Sequence, residues 1–266
     1  MASRIIKFFQ VNVNRSHAAW GNICHVMQAH ASDAFVMLLQ EPYTTRNKIC
    51  GVPPTFKLYS NAARDTHPRA GIICSPSLNM WSLAQFSNCD LTTVLWSTGD
   101  ISIPEIVIVN MYWDCTASDI LPQFLALLDH CHTHSLPIII GSDTNAHSTL
   151  WSSPTSNSRG EILEDLIVQY NLQVLNRGDS PTFRTSRAKS IIDVSLVSTS
   201  LVPTVVNWRL DRKDYLSDHK CLRFEVQFTS KLPPVPMRSY GKANWCFKHS
   251  FQSGLPLGNG PHCFRS

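Results

Sequence analysis

Gly141-Ser142-Asp143-Thr144-Asn145-Ala146-His147 directly follows the apolar run Leu136 to Ile140, and Leu216-Ser217-Asp218-His219 directly precedes the alternating segment Cys221 to Phe228. Each stretch sets an acid beside a polar partner at the end of an expected strand. Backbone there is rigid, and side chains from several strands can converge on one cleft. Acids, amides and an imidazole grouped in this way suit metal-assisted hydrolysis of a phosphodiester. That reaction needs charge neutralisation, an activated water and donors for a pentavalent phosphorus. Hard cations such as Mg²⁺ prefer carboxylate and amide oxygens.

Such groups stand at five strand ends: Asn12 with Asn14, Glu41, Asp143 with Asn145, Asp193, and Asp218 with His219. Glu41 closes an apolar strand, as a solvated terminus or as a cleft ligand. Asp143 and Asn145 differ by two positions and face one side of an extended segment; an Asx-turn accounts for the same pair. Asp193 lies inside Ile191-Ile192-Asp193-Val194-Ser195-Leu196-Val197. A charge in such a strand is costly unless paired. His219 is the natural partner, because a carboxylate would also set its tautomer. Tyr112 is either a core aromatic or a phosphate donor.

These groups need a frame. Ile5–Asn14 reads as a strand, Ser16 as the N-cap of a helix through Ala31, and Ala34–Leu39 as a buried strand stopped at Pro42. Residues 43–69 read as loop. Further strands are expected at 70–75, 92–97, 106–112, 137–141, 191–197, 204–210 and 221–228, with helices at 118–131 and 159–170. Many strands with few helices imply an α/β (α+β) four-layer sandwich: two packed mixed β-sheets flanked by helices.

Bulk properties narrow the class. A hydrophobic fraction of 43% and a charged fraction of 16% describe a globular chain. No apolar run reaches the roughly 18–20 residues that span a bilayer, so no membrane partner is expected. The start lacks a signal-peptide core, and the expected location is intracellular. Nine widely spaced cysteines without a CxxC read as reduced and structural. His130-Cys131-His132-Thr133-His134 is read as the dipole-complementing end of a helix rather than a zinc site.

The net charge of +4 is misleading. From Lys231 onward there are five basic residues, five prolines, four glycines and no acid, while residues 1–230 carry 18 basic against 19 acidic. The expected division is a domain at 1–230 and a poorly ordered Pro/Gly-rich tail or truncated linker at 231–266. Any nucleic-acid contact then depends on local positive patches. Arg184, Arg187 and Lys189 in one loop, and Arg64 and Arg69 in another, would serve as phosphate-backbone contacts.

The ordered series Gln10-Val11-Asn12-Val13-Asn14, Gln40-Glu41, Asn110-Met111-Tyr112, Asp143-Thr144-Asn145, Ile192-Asp193 and Ser217-Asp218-His219 resembles the endonuclease/exonuclease/phosphatase superfamily. Gly141 to Trp151, Asn157-Ser158-Arg159-Gly160-Glu161 and Ser180-Pro181-Thr182-Phe183 look like the apurinic-endonuclease-like domain of insect-type non-LTR retrotransposons. The resemblance covers about residues 4–229. It implies Mg²⁺ (or Mn²⁺) held by Glu41, with Asn12 and Asn14 beside it and Asp218 on the metal side. Asp143 would orient or deprotonate water, Asn145 and Tyr112 would hold the phosphate, and Asp193 would orient His219 on it. Thr182 would add a donor near the substrate. The implied partners are DNA and a reverse transcriptase domain in a parent element, the implied place of action the nucleus. The alternatives are a phosphatase or phosphodiesterase of the same fold, or an inactive DNA-binding relic. Asn14 stands where repair enzymes carry an acid, which bears on a second metal.

Overall fold

The structure, a computed structural model, describes residues 4–62, 66–117 and 119–228. The basic tail and Arg64 therefore lie outside the described residues. The chain runs β1 (Arg4–Asn12), α1 (His17–Ala29), β2 (Phe35–Gln40), β3 (Thr44–Thr45), β4 (Lys48–Ile49), β5 (Lys57–Tyr59) and β6 (Ala70–Cys74). It continues through β7 (Asn79–Ser82), β8 (Leu91–Ser97), β9 (Glu105–Tyr112), α2 (Pro122–Thr133) and β10 (Ile138–Asp143). Then follow α3 (Ser158–Gln169), β11 (Leu172–Val174), β12 (Phe183–Arg184), β13 (Lys189–Ser190), β14 (Asp193–Ser198), β15 (Val205–Leu210) and β16 (Leu222–Phe228).

Two six-stranded sheets result, ordered β15-β16-β1-β2-β6-β5 and β11-β14-β10-β9-β8-β7. Both are mixed: β1 runs parallel to β2 and antiparallel to β16, and β10 runs parallel to β9 and antiparallel to β14. The central strands are apolar throughout because both faces are covered. In β2, Val36 and Leu38 pack between the sheets with Ile108 and Ile139 of the other sheet. Phe35, Met37 and Leu39 face away, against Ile23 and Met27 of α1. The outer face of the second sheet, through Val107 and Val109, packs on Phe124 and Leu127 of α2 and Leu163 and Leu166 of α3. Helix, sheet, sheet and helices are the four layers expected from sequence.

Local chemistry accounts for the helix starts. Ser16 caps α1 by accepting from the Ala19 amide at 3.2 Å. Asn157 caps α3, and Pro122 opens α2 where no amide donor is needed. The expected helix at 118–131 thus begins later. The stretch expected as loop, 43–69, contains the β3–β4 hairpin and the edge strand β5. Strands β7 and β11 were also not expected. β5, β7 and β11 are short, and pairing to longer neighbours rather than their own pattern makes them strands.

Candidate active site

Side-chain alternation brings the polar strand ends together. In β1, Ile6 and Phe8 point between the sheets, so Gln10 and Asn12 follow on the same side. In β10, Ile139 faces that layer, and Gly141 and Asp143 share its parity. The sheets approach so closely here that a Cβ on Gly141 would lie 2.4 Å from Leu38 Cδ1 and 2.9 Å from Gln10 Oε1. Strand register completes the row: Asp143 pairs with Tyr112 on one side and with Asp193 on the other, while Asn12 pairs with Gln40, the neighbour of Glu41. The apolar layer between the sheets thus ends in a polar cleft of about 350 Å³ lined by Asn14, Glu41, Tyr112, Asp143, Asn145, His147, Phe183, Asp218 and His219, among others.

The floor is a buried hydrogen-bonded network. His219 Nδ1 lies 2.9 and 3.0 Å from the two Asp193 oxygens. Its Nε2 faces Asp143 Oδ2 at 3.9 Å. Asn12 Nδ2 donates to Asp143 Oδ2 at 2.8 Å and to Glu41 Oε2 at 3.2 Å, joining the two sheets. Ser217 Oγ donates to the Asn12 carbonyl at 2.6 Å and accepts from the His219 amide at 3.2 Å, which ties the Ser-Asp-His stretch to β1.

The electrostatics follow from burial and neighbours. Burial raises the pKa of Asp143, Asp193 adds to this, and the value reaches about 7 despite the imidazole and the Asn12 hydrogen bond. Burial pulls His219 down, but Asp193, Asp143 and Glu41 outweigh it and hold the imidazole at about 9. Burial, then Glu41 and Asp143, push the Tyr112 phenol far above its ordinary range. At neutral pH the floor therefore holds a protonated imidazole and a neutral phenol beside a carboxyl whose proton affinity is raised.

The rim is built differently. Asn14, Arg15, Glu41 and Asn145 all have left-handed backbones, with φ of 47°, 52°, 43° and 48°. Non-glycine residues rarely adopt this region, and where they do the surroundings must impose it. Here the Arg15 amide donates to the Glu41 carbonyl at 2.8 Å, and the Glu41 amide donates to the Arg69 carbonyl at 2.8 Å. Glu41 Oε1 also accepts from the Arg15 guanidinium at 2.9 Å.

Glu41, Asp218 and Asn14 line one cleft, and carboxylate and amide oxygens are the hard donors that a divalent cation such as Mg²⁺ takes. Asp143, Asp193 and His219 also bring one ligand atom each within 4.8 Å of one another. In that trio the Nδ1 of His219 is already engaged by Asp193.

Asn12 Oδ1 accepts from the Asn14 amide at 2.7 Å, while its amide nitrogen positions the two carboxylates. Several expectations need correction. Thr182 is 1% exposed, and its hydroxyl accepts from the Ile192 and Asp193 amides, each at 3.1 Å. It seats the Asp193 strand instead of reaching substrate. Arg69 is not a free phosphate contact. Its guanidinium bonds Asp90 and Asp114 and lies 5.1 Å from the Tyr112 ring centroid. Arg184, Arg187 and Lys189 sit on the exposed β12–β13 hairpin rather than an irregular loop. That hairpin is bound to the site: the Arg184 amide donates to the Asp218 carbonyl at 2.8 Å, and Phe183 packs on His219 at 4.8 Å between ring centroids. At the end of α2, His130 and His134 pack ring on ring, 4.2 Å apart. Among the described residues no third ligand joins them.

Sequence reasoning missed Phe183 and His147 as cleft residues. Phe183 follows Thr182 in a stretch already singled out, so an aromatic beside a site motif was the available signal. His147 ends the Gly141 to His147 motif and was passed over because it lies beyond the expected strand.

Comparison with known proteins agrees with this geometry. A family model described as Endonuclease-reverse transcriptase matches residues 106–223. The endonuclease domain of TRAS1, a telomere-specific non-LTR retrotransposon, superposes with a TM-score of 0.70 at 26% identity, covering 84% of this chain and 98% of that one. An AP endonuclease from Leishmania major superposes at 0.67 with 14% identity, over 85% and 88% of the two chains, a likeness of fold. The fold is similar to that of the endonuclease/exonuclease/phosphatase superfamily. Within it, the chain is similar to the endonuclease domains of non-LTR retrotransposons. A Drosophila melanogaster relative, the putative 115 kDa protein in type-1 retrotransposable element R1DM, is 25% identical over 269 residues. That alignment covers 94% of this chain but only 25% of the relative's length.

Proposed function

We propose that this domain is a Mg²⁺-dependent DNA endonuclease that nicks one strand and leaves a 3′-hydroxyl able to prime reverse transcription in a parent element. The observation that carries the reading is the buried Asp193–His219 pair facing Asp143, with Glu41 and Asp218 on the same cleft. Glu41, Asp218 and Asn14 would hold the cation. When bound, it supplies neutralising charge to the phosphate and the departing oxygen.

The remaining steps belong to the protein. Asp143, with its pKa lifted to about 7, takes a proton from the attacking water. Protonated His219, oriented by Asp193, donates from Nε2 to a phosphate oxygen. Tyr112, kept neutral, donates its hydroxyl, and the Asn145 amide donates beside it. The hairpin basic groups Arg184, Arg187 and Lys189 would contact backbone phosphates without reading bases. Action on chromosomal DNA would require the domain to work in the nucleus.

A supercoiled-plasmid assay tests this reading. Conversion to open circles should need Mg²⁺ and be lost in folded Glu41→Ala and Asp143→Ala, and end mapping should find 3′-hydroxyls. Truncation after Thr229 should leave nicking unchanged. Hydrolysis of small phosphomonoesters without nicking would favour the phosphatase alternative, and DNA binding without turnover would favour the relic.

A further inference from the structure

Arg159 stands in the first turn of α3 and is not among the residues lining the cleft. Its guanidinium is nevertheless tied to the segments that carry the cleft residues. Nη1 donates to the Asp114 carbonyl at 3.0 Å and the Ala117 carbonyl at 2.7 Å. Nη2 donates to the Trp113 carbonyl at 2.8 Å and the Thr144 carbonyl at 3.0 Å, and Nε reaches Thr144 at 3.3 Å. The plane lies 3.9 Å from the centroid of the buried Trp113 ring. One cation thus satisfies four carbonyls in two chain segments, one after β9 and one after β10.

Two of those carbonyls belong to immediate neighbours of cleft residues: Trp113 follows Tyr112, and Thr144 lies between Asp143 and Asn145. The Trp113 carbonyl also accepts from Asn145 Nδ2 at 3.1 Å. Arg159 and the Asn145 side chain therefore share one acceptor. Asn145 holds its left-handed backbone between Thr144, whose carbonyl Arg159 binds, and Ala146, whose amide donates to Thr144 Oγ1 at 3.2 Å. The helix itself is locked in place. Asn157 Oδ1 accepts from the His147 amide at 3.0 Å and the Gly160 amide at 2.9 Å. A Cβ on Gly160 would lie 1.8 Å from the His147 carbonyl oxygen, so only glycine permits this approach.

We propose that Arg159 is a positioning residue that sets Asn145 and Asp143 for phosphate cleavage by clamping the segment after β9 to the segment after β10. The inference rests on the nuclease reading above. A planar fork with five donors can serve four carbonyls and stack on an indole at once, whereas a lysine ammonium cannot reproduce that pattern. The Asn157-Ser158-Arg159-Gly160 motif then acts on the cleft from outside: Asn157 and Gly160 dock the helix, and Arg159 transmits the docking.

Arg159→Ala and Arg159→Lys are compared with wild type in plasmid nicking, at a temperature where circular dichroism shows each folded. The Asn145 side-chain amide is followed in parallel by NMR of the metal-free proteins. Misplacement of reacting groups predicts that kcat falls about 10- to 100-fold in both variants. KM for DNA should stay within about twofold, since no substrate contact is lost. The Asn145 amide resonances should move in both. If Arg159→Ala does not fold, Arg159→Lys, which keeps the charge and the stem over Trp113, decides alone. Unchanged kcat in a folded variant, a raised KM at constant kcat, or unmoved Asn145 resonances would each overturn the proposal. If wild type itself does not nick, the nuclease reading falls, and the Asn145 resonances still decide whether Arg159 positions that side chain.

Discussion

The floor and the rim of the cleft are made by opposite means. Asp143, Asp193 and Tyr112 come from the regular ends of β9, β10 and β14, in register with one another, and Asp143 and Asp193 are 2% and 1% exposed. Asn14, Arg15 and Glu41 come from left-handed backbone just past strand ends, and the Arg15 side chain is 62% exposed. Proton transfer and charge stabilisation need groups with displaced pKa values, and only a rigid, dry setting displaces them. On the reading proposed above, gripping an ion and admitting a nucleic acid calls for an open rim. One cleft can serve both demands because the strands end there: register sets the floor, and departure from register sets the rim.

The contrast makes unequal predictions. The floor should be least tolerant. His219→Ala should lower kcat by roughly 10²- to 10⁴-fold with little change in DNA affinity, measured by plasmid nicking and by binding to a non-cleavable duplex. A small loss would mean that the imidazole is structural and the rim carries the chemistry. The same pair can be examined without turnover. In Asp193→Asn the imidazole keeps its burial and loses its main counter-charge, so its pKa should fall from about 9 to well below the wild-type value, as followed by NMR titration. The linkage has a definite sign: a raised folded pKa contributes stability that is complete below the ordinary 6.5 and is lost as pH rises through about 9. Melting curves of the metal-free wild type should therefore lose that contribution in this window, and those of Asp193→Asn should lack it.

Asn12 joins the two regions, bonding both Asp143 and Glu41. Asn12→Ala should cost about 10- to 100-fold in activity or cation affinity, the range expected when a partner that orients ligands is removed. An effect on nicking with unchanged Mg²⁺ affinity would show that it serves the floor alone. Gly160→Ala tests the support beneath both regions. Because the new methyl meets backbone rather than a flexible side chain, it should destabilise by about 1–3 kcal/mol or more in urea unfolding. The smallest effect is expected at the outermost rim. Arg15→Ala removes an exposed ion pair and should change stability by about 0.2–1 kcal/mol, fading as salt is raised. A large loss there would place Arg15 among the groups on which the site depends.

What was legible from sequence is what local pattern encodes. Continuous apolar runs such as Phe35 to Leu39 demand cover on both faces, and together with many strands and few helices they point to packed sheets with outer helices. A carboxylate inside Ile191 to Val197 demands a partner. Ser16 announces a helix start by the chemistry of its side chain.

Tertiary structure decided the rest, because it concerns which groups meet across distant segments. Thr182 and Arg69 read as substrate contacts in sequence, yet one hydroxyl is taken up by the Ile192 and Asp193 amides and one guanidinium by Asp90 and Asp114. The short strands β5, β7 and β11 exist only because a longer edge lies open beside them. The displaced pKa values of Asp143 and His219 come from burial and from charges brought close by folding. Arg159 shows the division most plainly. Its type and place in the chain are in the sequence, but its four acceptors come from two segments that become neighbours only when β9 and β10 pair. Hydrogen bonds and electrostatic fields fall off over a few ångströms, so they are properties of the assembled cleft and not of any stretch that builds it.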